Sequence, residues 1–398
     1  MRLSSTQIEQ FRQAIINWQR SHGRHDLPWQ QNQSAATIHP SPAEAAAGDA
    51  YQVQAYQVHV SEIMLQQTQV ITVIPYFQRW MSRFPTLSAL AKATEDEVMA
   101  LWQGLGYYSR ARNLRRAAQH IIDAHGGQYP NDLTALNAIP GVGRYTAGAI
   151  RSFAFNTFGP IVDGNVKRLY ARLFAIEGEP NSTAFNKTMW QLAEQLTPED
   201  ESRVYSQGVL DLGALVCKKS SPQCGSCPLQ SVCIAYQTDR VARFPNPKTR
   251  KAKPTKYAHF VWHAQGDSVM LEKRSSPGIW GGLWCFPETQ TPPDDAQELG
   301  SFSHQFSHYR LEATVWLTEV TRSTLVSGTS EQLTYSSDSL LAHGAGTAET
   351  LQSGLECNEQ NLSKRRFVVT SDLAETGLPT PIRQFIEDVR ALGKLKLL

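Results

Sequence analysis

Four cysteines crowd into seventeen residues, Cys217-x6-Cys224-x2-Cys227-x5-Cys233, whereas Cys285 and Cys357 stand alone. Four thiolates on one short loop supply a complete tetrahedral ligand set. All-cysteine ligation serves either zinc or an iron-sulfur cluster, and the first spacing here is longer than in common zinc ribbons. Glu9, Arg12 and Arg20 break the apolar stretches of the N-terminus, which therefore does not read as a secretory leader. In an intracellular chain such crowding favours metal over disulfides. Lys218 and Lys219, inside the loop, set positive charge where phosphates can be met.

A second constellation is Leu136-Asn-Ala-Ile-Pro-Gly-Val-Gly-Arg-Tyr-Thr-Ala147, helix-like before Pro140 and again from about Tyr145. Gly141 and Gly143 clear the hairpin of side chains, so that backbone N–H groups at the start of a helix can approach a phosphate closely. The outline resembles a helix-hairpin-helix, a clamp on the DNA backbone that is indifferent to sequence. A plain helix-turn-helix connection has the same outline.

Rigid elements must carry these loops. At 398 residues the chain is long for one domain, and 41% apolar content is enough to give each of two domains its own core. No run of about 18 apolar residues occurs, so a soluble, intracellular protein is expected. Residues 1–250 hold 24 Lys and Arg against 19 Asp and Glu, and residues 251–398 hold 14 against 17, which makes the first half the better candidate for an anionic partner. An excess of that size is also common on surfaces that bind nothing.

Along the chain, a helix from Ser5 or Thr6 to Arg20 precedes Asp26-Leu-Pro-Trp29, and residues 30–50, rich in Ala, Gln, Ser and Pro, read as a flexible loop. The loop ends in a tandem repeat, Ala50-Tyr-Gln-Val-Gln and Ala55-Tyr-Gln-Val-His. From Tyr56 to about residue 216 apolar positions recur at three and four, punctuated at Pro75, Pro85, Gly104, Gly106, Pro140 and Pro180. Residues 244–256 form a basic, Pro-rich linker. Beyond it His259–Ala264, Val269–Arg274, Leu311–Leu317 and Phe367–Thr370 read as strands, residues 322–363 as a poorly ordered insertion, and Thr380–Leu392 as a helix. The expected division is an all-α domain over 1–243 carrying the metal loop at 217–233, the linker at 244–256, and a small α/β domain over 257–398.

Twenty residues after Gly143 comes Ile161-Val-Asp163-Gly164-Asn165-Val166. A helix-hairpin-helix followed by Gly/Pro-rich sequence and an Asp, together with the cysteine spacing, resembles the DNA glycosylase superfamily that includes endonuclease III. Three longer motifs narrow the likeness: Ser61-Glu62-Ile-Met-Leu-Gln-Gln-Thr-Gln69, Gly104-Leu-Gly-Tyr-Tyr-Ser-Arg110 and Leu210-Asp-Leu-Gly-Ala-Leu-Val-Cys217. Over nearly its whole length the chain is similar to the MutY family of adenine DNA glycosylases. The resemblance implies a mainly α helix-hairpin-helix glycosylase domain with a 4Fe–4S cluster loop, followed by a C-terminal Nudix-like α/β domain. It further implies base-excision repair of adenine opposite 8-oxoguanine or guanine in duplex DNA, by a monomeric, cytoplasmic, nucleoid-associated enzyme. The cluster would support DNA binding rather than chemistry.

Loss of adenine requires a proton on the base and a negative charge near the oxocarbenium-like sugar. By the resemblance Glu62 is the acid, and its helix neighbours Val58 and Leu65 are apolar company that raises a carboxyl pKa. Asp163 matches the carboxylate that stabilises the sugar, and Asn165 would hold it and the water. Lyase-competent relatives carry a Lys where this chain has Tyr145, which implies a monofunctional glycosylase with Tyr145 assisting at the sugar. Base flipping leaves a gap in the stack. Gln67 matches the wedge that fills it and Tyr107 the aromatic intercalated beside the damaged guanine; Gln30 and Gln207 match contacts to the flipped adenine, with Trp29 and Leu65 lining its pocket. Core packing is the alternative for Tyr107 and Trp29.

In the C-terminal part, Gly282 and Glu288 could open a metal-binding Nudix box, but Ala296-Gln297-Glu298 lacks the remaining glutamates, which implies recognition rather than hydrolysis. Phe306-Ser307-His308 matches the element that reads 8-oxoguanine. Two features depart from the family: about twenty extra residues between Trp29 and Tyr56, and His59 where an aromatic is common. Rival readings are a bifunctional endonuclease III-like lyase, which Tyr145 opposes, and a non-catalytic DNA-binding or redox-sensing protein, which the pair Glu62 and Asp163 opposes.

Overall fold

The computed structural model describes residues 3–30, 48–246, 252–275, 278–294, 296–319 and 365–391 apart from 372, 374 and 375. The loop expected over 30–50, except for its ends, and the stretch 322–363 lie outside the described residues, as does 247–251 of the linker. Two compact units emerge, Met1–Thr94 with Arg110–Arg250, and Glu95–Ser109 with Lys251–Leu398.

The first unit is helical. α1 (Ser5–His22) starts at a capping box between Ser4 and Gln7 and buries Phe11, Ile15 and Ile16. α2 (Gly48–Leu65) begins within the region expected to be loop and takes in the tandem repeat. Almost every residue from Gln54 to Met64 is buried, so this part of α2 has no solvent face and forms the axis of the unit. α3 (Val70–Arg83) retains Pro75 in its interior rather than ending there; the residue whose carbonyl loses a partner, Ile71, is 74% exposed, so water can serve it. α4 (Leu87–Lys92) is capped by Thr86, and α6 (Ser109–His125) presents Leu114, Ala117, Ala118 and Ile121 inward. α7 (Leu133–Ala138) and α8 (Arg144–Ala149) flank the hairpin, and α8 widens into a π-turn over Ile150–Ala154. α9 (Gly164–Leu173), α10 (Thr183–Leu196) and α11 (Ser202–Asp211) follow. A second π-turn, Leu212–Val216, delivers the chain to Cys217, and α12 (Ile234–Gln237) closes the cysteine loop.

Among its described residues the second unit contains a seven-stranded mixed sheet, α5 (Glu95–Trp102) and α13 (Thr380–Ala391). Its strands are β1 (Thr255–Gln265), β2 (Ser268–Lys273), β3 (Trp284–Cys285), β4 (Glu288–Thr289), β5 (Gln297–Gln305), β6 (Arg310–Glu319) and β7 (Arg365–Val369). The order is β3-β2-β1-β6-β5, with β4 paired to β1 and β7 to β2. β1 and β6 run parallel from Thr255↔Arg310 to Ala264↔Glu319, and the other pairs are antiparallel. Phe385 of α13 packs on Trp262 and Phe286 to make the core. Four strands stand where alternation placed them; β3, β4 and β5 are additional.

Candidate active site

Glu62 lies in the last turn of α2 and is 5% exposed. Burial pushes its carboxyl up to about 7, the Asp163 charge adds to the rise, and a hydrogen bond from the Tyr145 hydroxyl opposes it. Tyr145 sits in the first turn of α8, so the hairpin that precedes it fixes its position against α2. Val58 is buried and Leu65 half-buried.

Asp163 is the N-cap of α9. Its Oδ1 accepts from the Val166 N–H at 2.7 Å and its Oδ2 from the Asn165 side-chain amide at 2.9 Å. Burial raises the Asp163 pKa, while these bonds and the Arg168 guanidinium hold it down. The two carboxyls thus differ in surroundings: Glu62 has one hydroxyl donor, whereas Asp163 has two N–H donors at a helix N-terminus and a nearby cation, which favour the ionised form. Arg168 was not among the residues expected to matter. It donates to Asn165 Oδ1 at 2.9 Å, to the Gly213 carbonyl at 2.7 Å and, through Nε, to the Cys217 carbonyl at 2.8 Å. A continuous chain of bonds therefore runs from the cysteine loop to Asp163. The π-turn brings Gly213 so close that a Cβ there would meet Asn165 Cβ at 2.8 Å.

In the hairpin, Gly141 has φ 80°, and a Cβ there would stand 2.6 Å from Asn113, so backbone and space both demand glycine. Gly143 is the N-cap of α8 with open space around it, which leaves its face available to a ligand. Gln67 is exposed, with φ 58°, in the turn after α2. Buried Arg110 shapes that turn by donating to the carbonyls of Ile63, Met64 and Gln66 at 2.8, 3.1 and 2.6 Å, a cationic cap on a helix C-terminus. Arg110 was legible only as a member of a motif. Trp29 and Gln30 form a short 3-10 turn; Trp29 packs on Phe77, its carbonyl accepts from Gln54, and Gln30 Oε1 accepts from the Leu27 N–H. Gln207, buried on α11, donates to Asp211, which also binds Arg24 through its backbone and guanidinium. Trp29, Gln30 and Gln207 are thus held by networks separate from that of Glu62.

Cys217, Cys224, Cys227 and Cys233 line one cavity with Leu169, Arg172 and Val216. Arg172 Nη1 donates to Cys217 Sγ at 3.4 Å and to the Lys218 carbonyl at 2.7 Å. Among the described residues no three His, Cys, Asp or Glu side chains converge closely enough to grip a single metal ion. Lys218 is half-buried and Lys219 exposed.

Tyr107, 46% exposed with φ 48°, and the β5–β6 hairpin bearing Phe306, Ser307 and His308 belong to the second unit. Ser307 and His308 are exposed, and Ser307 Oγ lies 3.2 Å from His308 Nδ1. Glu288 of the incomplete Nudix box is paired with Arg274 at 2.7 Å, and Glu272 of β2 with Arg365 at 2.8 Å, so arginines occupy both carboxylates. No helix in the described residues is long and apolar enough to cross a membrane.

The profile of the HhH-GPD superfamily base excision DNA repair proteins matches residues 60–195, and that of the NUDIX domain matches residues 258–388. The chain is 35% identical over 314 residues to an adenine DNA glycosylase of Buchnera aphidicola subsp. Acyrthosiphon pisum, covering 76% of this chain and 84% of that protein. It is 34% identical over 375 residues to the adenine DNA glycosylase of Mus musculus (78% and 70% covered) and 33% identical over 380 residues to that of Homo sapiens (78% and 67% covered).

Proposed function

Because this chain belongs to the adenine DNA glycosylases, enzymes of base-excision repair that act on N-glycosyl bonds, we propose that it removes adenine mispaired with 8-oxoguanine or guanine in duplex DNA, as a monofunctional hydrolase. The observation that carries this reading is the trio of buried Glu62 with half-buried Tyr145 and Asp163, two carboxyls in contrasting surroundings with a tyrosine between α2 and α9. Glu62, poised near neutrality, gives its proton to the flipped adenine as the C1′–N9 bond breaks and the bonding electrons leave with the base. Asp163, whose donors and the Arg168 cation oppose the rise that burial imposes on its pKa, faces the cationic sugar as the carboxylate, and Asn165 steadies it for addition of water at C1′. Tyr145 has no amine, so no Schiff base forms and the sugar is released as an abasic site.

Gln67 as wedge, Tyr107 as intercalator and Gly141 with Gly143 as the backbone clamp fit this reading. Gln67 and Tyr107 are two non-glycine residues in the left-handed region, where strain persists only if the surroundings demand it. Trp29, Gln30, Leu65 and Gln207 would enclose the adenine, and Phe306, Ser307 and His308 would read the base opposite. The four cysteines line a common cavity, and the Cys217-x6-Cys224 spacing is longer than in common zinc ribbons, which supports a 4Fe–4S cluster over zinc. Bound there, such a cluster would hold the loop that presents Lys218 and Lys219 to phosphates, in support of DNA binding rather than bond cleavage. One chain carries both the excision pair and the lesion-reading loop, which supports a monomer acting on the DNA of the nucleoid.

Single-turnover release of adenine from duplexes with adenine opposite 8-oxoguanine, guanine or thymine, with and without alkali, tests the proposal. Expected are rapid loss opposite 8-oxoguanine, slower loss opposite guanine, none opposite thymine, and strand breaks only after alkali. Strand cleavage through a borohydride-trappable intermediate at the rate of base loss would instead establish a lyase.

A further inference from the structure

Behind the Phe306-Ser307-His308 hairpin lies a residue that neither the motifs nor the excision chemistry uses. Trp280 occupies the turn between β2 and β3 with φ 57°, a backbone conformation that bulky side chains rarely adopt, yet its indole is 8% exposed. The turn is tied at several points. Leu283 N–H donates to the Trp280 carbonyl at 2.9 Å, Gly282 N–H to the Arg274 carbonyl at 2.8 Å, and Arg274 Nε to the Ile279 carbonyl at 3.2 Å. Arg274 is itself clamped by Glu288, so the carboxylate left over from an incomplete metal box anchors this turn.

The indole meets Phe306 at a centroid distance of 5.4 Å and His304 at 5.9 Å. Phe306 is in turn wedged edge-on against His304 at 4.6 Å and beside Tyr309 at 4.8 Å, and its N–H donates to the Tyr309 carbonyl at 2.9 Å. The hairpin thus has an inner face of packed rings and an outer face where Ser307 and His308 are exposed. A hydroxyl that discriminates one purine edge from another must be held to a fraction of an ångström. His308 rests against Tyr309 at a centroid distance of 4.8 Å, and Tyr309 and the Trp280 indole both bear on Phe306, so the rings beneath the tip hold Ser307 and His308 in place.

We propose that Trp280 is a positioning residue for lesion recognition: its indole, presented by a left-handed turn, is the floor on which Phe306 seats, and so sets where Ser307 and His308 meet the base opposite adenine. The inference rests on the reading of that hairpin as the 8-oxoguanine sensor.

The test compares full-length Trp280→Gly, Trp280→Phe and Ser307→Ala/His308→Ala with the unaltered protein. The measured quantity is the ratio of single-turnover rates for adenine opposite 8-oxoguanine and opposite guanine, from which any inactive fraction cancels. Glycine accepts the positive φ without strain, so Trp280→Gly keeps the turn and removes only the ring. Expected is a fall in the ratio of about tenfold or more for Trp280→Gly, with Trp280→Phe keeping at least about half of it, because a smaller ring still fills part of the floor. If Trp280→Gly keeps the ratio while Ser307→Ala/His308→Ala loses it, the floor is dispensable and the inference is overturned although the hairpin remains the sensor. If the double variant also keeps the ratio, the sensor reading fails, and the inference with it.

Discussion

His59 and Glu62 lie one turn apart on α2, both buried, and their titrations pull stability in opposite directions. Burial lowers the His59 pKa from its ordinary 6.5 to about 4, while its Nδ1 lies 3.0 Å from the Tyr129 hydroxyl. As pH falls below 6.5 the unfolded chain takes up a proton at His59 that the folded chain refuses until about 4, so stability is lost across that window. Glu62 behaves oppositely: folded, it titrates near 7 instead of 4.5, so stability is lost as pH rises from 4.5 through 7. Each contribution is roughly 3 kcal/mol, and between about pH 4.5 and 6.5 they nearly cancel. Removing either unmasks the other. Glu62→Gln is expected to abolish adenine release while making stability rise with pH across that window; His59→Phe is expected to make it fall from pH 4.5 to 7. Urea unfolding at four or five pH values measures both slopes, and parallel profiles in the two variants would contradict the assignment. In the unaltered enzyme the same Glu62 pKa predicts an excision rate that declines above about pH 7, as the acid loses its proton.

At the scale of elements, α9 joins two loops that are far apart in sequence. Its N-cap is Asp163, its first turn carries Asn165, and Arg168 one turn later reaches the Cys217 carbonyl. Arg168→Ala is therefore expected to slow excision by about ten- to a hundredfold, because Asn165 and then Asp163 lose their support, while binding to uncut duplex changes little. Single-turnover rates beside equilibrium binding would show this; a loss confined to binding would place Arg168 among the DNA contacts instead. The Asn165–Arg168 link was discoverable, since residues three apart on a helix face one another, but an arginine in a helix ordinarily reads as solvent-facing. The hairpin glycines and the clustered cysteines stand out because backbone geometry and thiolate chemistry admit few residue types there, whereas Glu62 and Asp163 stand out only through the motifs around them, since a lone carboxyl on a helix or at its cap reads as an ordinary acid. Gln297–Gln305 was not: its two bulky apolar residues, Leu299 and Phe302, stand three apart rather than two, and the irregularity between Glu298 and Gly300 breaks the period, so β5 is visible only through its pairing with β6. The beginning of α2 was hidden because Ala50 to Val53 are exposed or half-buried and continue the polar stretch before them, while the buried part from Gln54 onward has no amphipathic stripe to extend back over them.

At the scale of the whole molecule, chain order and compactness disagree over residues 95–109. They interrupt the helical sequence, yet they pack with the C-terminal unit. Lys273 of β2 meets Asp96 at 2.6 Å, and Arg383 of α13 donates to Gln103 Oε1 at 2.6 Å and to the Leu373 carbonyl at 2.8 Å. A Cβ on Gly377 would touch Met99 of α5 at 3.2 Å, so the apolar face of α5 is closely covered. The segment that presents Tyr107 is thereby fastened to the unit that carries the 306–308 hairpin. Arg383→Ala removes the charged hydrogen bonds to Gln103 and to the Leu373 carbonyl, each of a kind that contributes roughly 1.5–3 kcal/mol. In the full chain it is expected to speed amide exchange over 103–108 by roughly tenfold or more, while α2 and α9 keep their protection. Exchange at Tyr107 that rises only when the helical unit itself is destabilised would return 95–109 to the first unit. A selective rise would mean that the C-terminal unit sets the stability of a loop that the helical sequence encodes, so that damage to α13 reaches the proposed intercalating residue without touching the excision pair.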